Sequence, residues 1–94
     1  MKLVWTERAS ANLWEIADYI ASDSPRAAGR VTQHILLSVA RLRAQPFLGK
    51  PGRVPGTREL VIARSPYVPA YPVKDERIEI LAVRHGAREW PKHL

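Results

Sequence analysis

The strongest indication of the fold comes from residues 6–44, which have the sequence TERASANLWEIADYIASDSPRAAGRVTQHILLSVARLRA. Apolar side chains recur along this stretch mostly at intervals of three and four residues, which predicts two amphipathic helices. The first apolar stripe consists of Ala9, Leu13, Ile16, Ala17 and Ile20, and the second of Ala28, Val31, Ile35, Val39 and Leu42. Thr6 is the predicted N-cap of the first helix, which ends near Ser22. Ser24 and Pro25 supply the N-cap and first residue of the second, so that a connection of about three residues makes the pair an antiparallel hairpin.

Strand-forming runs flank the helical hairpin on both sides. Lys2–Trp5 precedes it, and Arg58–Ala63, Tyr67–Val73 and Arg77–Arg84 follow it. The last run is apolar on both faces, which is typical of a central strand. Residues 45–57 contain three prolines and three glycines and are predicted to form a long loop. The predicted fold class is α+β in the order β-α-α-β-β-β, with the helical hairpin packed on a mainly antiparallel four-stranded sheet in a single domain of 94 residues.

Two prolines interrupt the middle strand of this prediction. Pro69 and Pro72 lie within the run Tyr67–Val73, and each lacks the N–H that a strand donates to its neighbour. Because they are three residues apart, they remove donors from opposite edges of the strand. We expect a strand that is bulged or shortened at this place, or one of low local stability.

Composition excludes several classes of protein. The chain has no cysteine, which excludes a disulfide scaffold, a thiol nucleophile and a cysteine-built zinc site. No apolar run is long enough to cross a membrane, and the first residues lack the apolar segment of a secretion signal. Glycine loops for phosphate and histidine motifs for metals are absent, so we expect neither a cofactor nor a metal. These observations predict a small cytoplasmic domain.

Positive charge is concentrated in the middle of the chain. The net charge is +6, but residues 1–24 hold two bases against four acids, whereas residues 25–64 hold eight bases against Glu59 alone. Such a block predicts an anionic partner, either a nucleic acid or an acidic protein segment. One hypothesis is a small nucleic-acid-binding module whose affinity depends strongly on salt. A solvated face that only aids solubility is the alternative, and charge alone does not separate the two.

The segment after the last predicted strand contains the main candidates for catalytic chemistry. Residues 83–91 are VRHGAREWP, so that Arg88 and Glu89 follow His85 closely at the end of a strand. A base, an acid and arginine are the groups that metal-free cleavage of a phosphodiester requires. The alternative is structural: Gly86 makes a turn, Trp90 packs on the helices, and the charged side chains are solvated. Spacing alone leaves both interpretations open.

Three segments of the chain occur in an order that is specific to one superfamily. They are LVWTERA (residues 3–9), PFLGKPGRVPGTREL (residues 46–60) and HGAREWP (residues 85–91). Together they resemble the RelE/ParE superfamily of toxins over essentially the whole chain. The resemblance implies the toxin of a bacterial type II toxin–antitoxin system, a growth inhibitor that its cognate antitoxin neutralises in a hetero-oligomer. The antitoxin segment is expected to be acidic or amphipathic and to fold on binding.

Members of this superfamily differ in their cellular target. RelE-like toxins cleave mRNA on the ribosome and usually have a catalytic arginine directly after the aromatic residue that starts the middle strand, where this chain has Val68 after Tyr67. Their lysines on the preceding strand correspond to Glu59 and Val61. ParE-like toxins inhibit DNA gyrase without nuclease activity. The residues that match the ParE-like pattern are Ala63-Arg64, Tyr67-Val68 and the segment from His85 to Trp90. The resemblance favours a ParE-like gyrase inhibitor, and the alternative is a ribosome-dependent mRNA endoribonuclease.

The resemblance implies two sets of functional residues. If the toxin is RelE-like, the residues that handle the phosphate are Arg64, His85 and Arg88. Residues expected to bind the antitoxin or the target are Trp14, Arg41, Arg43, Lys50, Arg53, Arg58, Arg84, Glu89 and Trp90. Trp14 belongs to this set because it lies off the apolar stripe of the first helix and is predicted to be exposed. Pro69 and Pro72 depart from the superfamily pattern, which predicts reduced toxicity.

Overall fold

The computed structural model describes residues 1–87. In this part of the chain, two helices follow a first strand, and six further short strands come after them. The helices are α1 (Glu7–Ala21) and α2 (Pro25–Ala40), and a 3-10 turn over Arg41–Arg43 continues the second. The strands are β1 (Lys2–Trp5), β2 (Lys50–Pro51), β3 (Arg58–Glu59), β4 (Tyr67–Tyr71), β5 (Val73–Lys74), β6 (Arg77–Ile80) and β7 (Ala82–His85).

The two helices begin where the local capping signals predict. The Thr6 hydroxyl accepts a hydrogen bond from the N–H of Ala9 at 3.1 Å and so caps α1. The Ser24 hydroxyl accepts from the N–H of Ala27, also at 3.1 Å, and Pro25 lies in the first turn of α2. The helices pack against each other, as their short connection requires. Neither of these helices, within residues 1–87, is long and apolar enough to cross a membrane.

The described strands form two hydrogen-bonded sheets, in the orders β1-β6-β5 and β2-β3-β4-β7. β1 runs parallel to β6, and the other described pairs are antiparallel. The fold class is therefore α+β with a mainly antiparallel arrangement of strands, as predicted. The helices cover one face of the strands, where Ile35 and Val39 of α2 share a hydrophobic core with Ile78, Ile80 and Val83.

A β-bulge divides the predicted four-stranded sheet. Between the Ala70–Ala82 pair and the Val73–Ile78 pair, two residues of one strand face three residues of the other. Pro72 lies at this point and has no N–H to donate to the neighbouring strand. Each of the last two predicted strands is therefore observed as two shorter ones, which corrects the predicted boundaries.

Pro69 on β4 shortens the neighbouring strand, which was predicted over Arg58–Ala63. The prediction extended this strand to Ala63, whereas β3 ends at Glu59. Leu60 donates its N–H to the Pro69 carbonyl at 2.9 Å, but the return bond of this antiparallel pair is missing because proline has no N–H. Pro69 and Pro72 thus remove donors on opposite edges of the strand, and the interruption expected from them is confirmed.

The predicted loop over residues 45–57 contains the short strand β2, which the prediction missed. β2 lies at the edge of its sheet, where Pro51 is tolerated. Polar contacts hold the loop against β3: the Glu59 carboxylate accepts the N–H of Arg53 at 2.6 Å, and its other oxygen lies 3.5 Å from Nε of Arg53. Glu59 is 2% exposed and Val54 is 8% exposed. The loop is therefore an ordered part of the fold.

Candidate functional site

A groove of about 470 Å³ opens between α1 and the end of the sheet formed by β4 and β7. The side chains that give it polar character are Asn12, Glu15 and Tyr19 from α1, and Tyr67, Arg84 and His85 from the strands. Within residues 1–87, no three His, Asp or Glu side chains are grouped so as to hold a metal ion. The groove offers proton donors and acceptors together with positive charge.

His85 lies at the end of β7, where its ring has a defined hydrogen-bond arrangement. It pairs in register with Tyr67, and the two rings meet edge to face with their centroids 5.8 Å apart and an interplanar angle of 86°. Nδ1 accepts a hydrogen bond from the N–H of Ala87 at 3.1 Å. A neutral ring therefore carries its proton on Nε2. Nε2 is then the atom that can transfer a proton or donate to a partner.

Arg84 lies opposite Val68, on the face of β7 that points away from the core residue Val83. The Nε atom of Arg84 is buried and has no hydrogen-bond partner among residues 1–87. An unpaired buried donor costs about 1–3 kcal/mol. Val68 itself has no hydrogen-bonding group in its side chain.

Arg64 lies at the same end of the sheet as His85, in the turn that leads into β4. Its backbone has a φ of 61° and its side chain is exposed. Nε2 of His34 on α2 donates a hydrogen bond to the Ala63 carbonyl at 3.0 Å, which ties this turn to the helices. No hydrogen bond or ion pair joins Arg64 to His85 in the part of the chain that the structure describes. The fold brings the two residues to one end of the sheet without joining them.

The loop cations Arg53 and Arg58 are engaged in contacts that hold the loop. Nη1 of Arg58 donates to the Gly49 carbonyl at 2.8 Å, and its guanidinium carbon lies 4.9 Å from the centre of the Phe47 ring. Nη2 of Arg53 donates to the Gly86 carbonyl at 3.2 Å, directly after the end of β7. Two of the cations expected to bind a partner therefore also have structural contacts.

Comparison with known proteins identifies the family. The chain matches the family model described as the ParE toxin of the type II toxin–antitoxin system parDE over residues 3–90. This chain belongs to the ParE toxin family. It is 43% identical to the putative toxin Y4kP of Sinorhizobium fredii over 93 residues, which are 99% of this chain and 96% of the relative. It is 39% identical to toxin RelE2 of Caulobacter vibrioides over 87 residues, which are 93% and 97% of the two chains.

A solved structure supports the same family. The chromosomal ParDE toxin–antitoxin system from P. aeruginosa contains a chain with a TM-score of 0.81 and 35% sequence identity to this one, covering 90% of this chain and 95% of that chain. The predicted superfamily and its type II toxin function are therefore confirmed. The relatives bear both ParE and RelE names.

Several residues predicted to bind partners of this ParE-family toxin are not part of the groove wall. Arg41 and Arg43 are exposed in the 3-10 turn, where the N-terminal ammonium of Met1 donates to the Arg43 carbonyl at 3.1 Å. Lys50 on β2 is exposed. Trp14 on α1 is 72% exposed, as predicted from its place off the apolar stripe. The predicted residues Arg88, Glu89 and Trp90 lie outside the described residues.

The wall that α1 contributes to the toxin's groove was not predicted from the sequence. Asn12, Glu15 and Tyr19 are three and four residues apart, so they share one face of the helix. Oδ1 of Asn12 accepts the N–H of Val83 at 3.0 Å, which fixes α1 against β7. A polar stripe at helical spacing beside the apolar stripe is the signal by which these residues can be found.

Proposed function

We propose that this toxin inhibits DNA gyrase without nuclease activity, acts in the bacterial cytoplasm and is neutralised by a cognate antitoxin. The observation that carries the proposal is the residue after Tyr67. Nucleases of the superfamily usually have a catalytic arginine at this position, whereas this chain has Val68. An apolar side chain neither stabilises the charge of a phosphate transition state nor transfers a proton.

The positions around Val68 support the same proposal. Glu59, which replaces a lysine of the nucleases, is 2% exposed and bound by Arg53, so the strand beside β4 brings a buried negative charge. No hydrogen bond or ion pair joins Arg64 to His85 among residues 1–87. Catalysis of phosphodiester cleavage requires such groups around one reacting atom. A surface that binds a protein target needs no such convergence.

The antitoxin is expected to use the groove between α1 and β7. Arg84 lines the groove and brings a guanidinium that can bind an acidic side chain, and Ile16 gives the groove an apolar wall. An acidic, amphipathic segment that folds on binding meets both requirements. Trp14 and Lys50 are exposed outside the groove and are proposed as further contacts in a toxin–antitoxin hetero-oligomer.

Two assays on the purified toxin without antitoxin test the proposed target. The first measures supercoiling of a relaxed plasmid by DNA gyrase, and the second measures mRNA cleavage on programmed ribosomes. We expect loss of supercoiling with intact mRNA, and in cells an SOS response rather than shortened transcripts. Cuts at defined codon positions with normal supercoiling would contradict the proposal and assign phosphate handling to Arg64, His85 and Arg88.

Single substitutions separate the two functions further. Removal of one catalytic group abolishes activity, because such groups act as a unit. Removal of one contact from a binding surface costs about 1–2 kcal/mol, which is about fivefold to thirtyfold in affinity. We expect Arg64→Ala and His85→Ala to weaken inhibition by this amount. Lys74→Ala, which changes an exposed residue at the end of β5, is the matched control. Complete loss of toxicity in folded His85→Ala would favour the nuclease.

A further inference from the structure

The outer face of α2 is uniformly positive. No acidic residue occurs between Asp23 and Glu59, so α2 and the loop after it contain no carboxylate side chain of their own. Arg26 and Arg30 on α2, and Arg41 just after it, are all exposed. Their spacings of four and eleven residues place them on one stripe along the helix. At 1.5 Å per residue, the stripe is about 22 Å long.

The segment packed beside α2 extends this positive surface. The hydrogen bond from His34 to the Ala63 carbonyl brings the turn that contains the exposed Arg64 against the middle of the helix. Glu59, the first acidic residue after the stripe, is buried and bound by Arg53. It is therefore not presented as a counter-charge to the arginines of α2.

Gly29 is a second, independent feature of this face. It is exposed in the interior of α2, and a Cβ placed on it would meet no atom within 4 Å. Glycine lowers helix propensity relative to alanine, and no packing contact requires it at this position. It lies between Arg26 and Gln33 on the helix surface. A glycine there lets another backbone approach the helix closely.

We propose that the outer face of α2 binds the phosphate backbone of duplex DNA. The proposal rests on the proposed function, because gyrase acts on duplex DNA. Duplex DNA carries one negative charge per about 1.7 Å of its axis, so a stripe of this length passes several phosphates within reach of its arginines. Gly29 is the point of closest approach.

The chemistry of the stripe favours duplex DNA over two other partners. Single-stranded nucleic acids are bound through stacked aromatic side chains, and α2 contains no Phe, Tyr or Trp. Protein partners are bound through clustered apolar or aromatic anchors. The stripe has Leu37 as its apolar side chain among arginines, and Leu37 is 62% exposed. Binding to the phosphate backbone of duplex DNA through its charge requires neither stacked aromatic side chains nor clustered apolar anchors.

Fluorescence anisotropy with a labelled duplex of about 20 base pairs tests the proposal, with the full toxin chain and no gyrase or antitoxin. Each arginine–phosphate contact contributes about −0.9 to the slope of log K against log salt. Three contacts give a slope of about −2.7, so the Kd should rise about 40-fold between 50 and 200 mM salt. The triple variant R26Q/R30Q/R41Q should lose most of this slope.

A matched control removes the same charge from another surface. Lys2, Arg77 and Lys74 lie side by side on β1, β6 and β5, with exposed side chains. The triple variant K2Q/K74Q/R77Q should keep the slope of the unmodified toxin. Equal loss in the two triple variants would overturn the proposal, because binding would then follow net charge alone.

Gly29→Ala separates binding from folding. Alanine should raise Tm, because it is the better helix former and its Cβ meets no neighbour. The same methyl group should weaken duplex binding, because it stands where the backbone approaches. A higher Tm with unchanged duplex affinity would contradict the close approach and overturn the proposed geometry.

Two further outcomes distinguish this inference from others. If R26Q/R30Q/R41Q loses affinity for the antitoxin but keeps its duplex binding, the stripe belongs to an acidic peptide and the inference is wrong. If the toxin passes the duplex tests but fails to inhibit supercoiling, the proposed gyrase target is wrong, while duplex binding by α2 is supported. Failure of the duplex-binding proposal is thus measured by anisotropy, and failure of the proposed gyrase target is measured by the supercoiling assay.

Discussion

The Tyr71 hydroxyl holds the 45–57 loop on the sheet, and the variant Tyr71→Phe removes only this oxygen. Tyr71 is fully buried at the end of β4. Its hydroxyl accepts a hydrogen bond from the N–H of Gly49 at 2.9 Å and donates one to the Pro46 carbonyl at 3.0 Å. A Cβ on Gly49 would lie 2.6 Å from this hydroxyl, so only glycine permits the approach. The variant leaves the buried N–H of Gly49 without its acceptor.

The expected cost follows from that unpaired donor. A buried N–H without an acceptor costs about 1–3 kcal/mol, and a lost neutral hydrogen bond adds about 0.5–1.5 kcal/mol. We expect a decrease of about 2–3 kcal/mol in the free energy of unfolding. In a domain of this size, 1 kcal/mol shifts Tm by about 4–8 °C. Tyr71→Phe should therefore lower Tm by about 10–20 °C.

Circular dichroism during heating measures this shift, and hydrogen exchange locates it. The Gly49 amide should exchange faster in Tyr71→Phe, and the loop that carries Lys50 should follow it. Tyr19→Phe is the matched control, because it removes the same atom from a side chain that is 74% exposed. A change in stability below about 0.5 kcal/mol, with unchanged exchange at Gly49, would show that the Tyr71 hydroxyl does not hold the loop, since ordinary surface substitutions have effects of that size.

Three other predictions concern stability. Burial raises the pKa of the Tyr71 phenol above its ordinary value of 10.0. The stability that the neutral phenol contributes is therefore complete below pH 10 and is lost as the pH rises through the pKa of the folded state. Above pH 10, Tm should fall more steeply in the unmodified toxin than in Tyr71→Phe. Glu76 has a φ of 57° in the turn between β5 and β6, and Glu76→Gly should add about 0.5–1 kcal/mol in urea unfolding. Pro69→Val should restore an N–H in β4 and add about 0.5–1 kcal/mol, seen as a new slowly exchanging amide. Unchanged Tm and growth inhibition after combining it with Pro72→Arg would contradict the predicted attenuation.

Elements whose signals lie within a few residues were predicted from the sequence. Thr6 and Ser24 identified the starts of both helices, because a capping hydroxyl bonds to an N–H three residues later. The apolar stripes identified the buried helix face, where Ala9, Ile35 and Val39 are fully buried. Capping and helical periodicity are local properties, so they do not depend on how the sheet is assembled.

Elements that depend on distant pairing were predicted less well. The effect of Pro69 falls on β3, because the missing donor faces Leu60 of the neighbouring strand. The extra residue of the bulge lies between Ile78 and Ala82, on a strand whose own sequence contains no proline or glycine. For the site, the place of His85 at a strand end was predicted. The α1 wall of the groove was not, because it depends on which side of the helix turns toward β7.

Nucleases of the superfamily have a lysine on the strand that corresponds to β3. In this toxin, Glu59 at that position binds Arg53 and holds the 45–57 loop against β3. Glu59 is tolerated in a buried position because Arg53 offers it both an N–H and a guanidinium. The same guanidinium reaches the Gly86 carbonyl beside the end of β7. A lysine at position 59 would repel Arg53 and release the loop, so a basic residue at this position cannot be gained without changes in its surroundings.

Glu59→Lys should therefore destabilise the toxin rather than confer mRNA cleavage. Breaking a buried ion pair by removing one partner costs about 3–5 kcal/mol. Because the Arg53 side chain is 45% exposed and solvent screens it, we expect about 2–4 kcal/mol. Glu79→Lys is the control, since the Glu79 side chain is 37% exposed in a surface ion pair with Arg77 and should cost less than about 1 kcal/mol. Thermal unfolding and the ribosome cleavage assay measure both effects. Codon-positioned cleavage by a stable Glu59→Lys variant would show that the loop tolerates a base at position 59, and Glu59 would then no longer support a gyrase target.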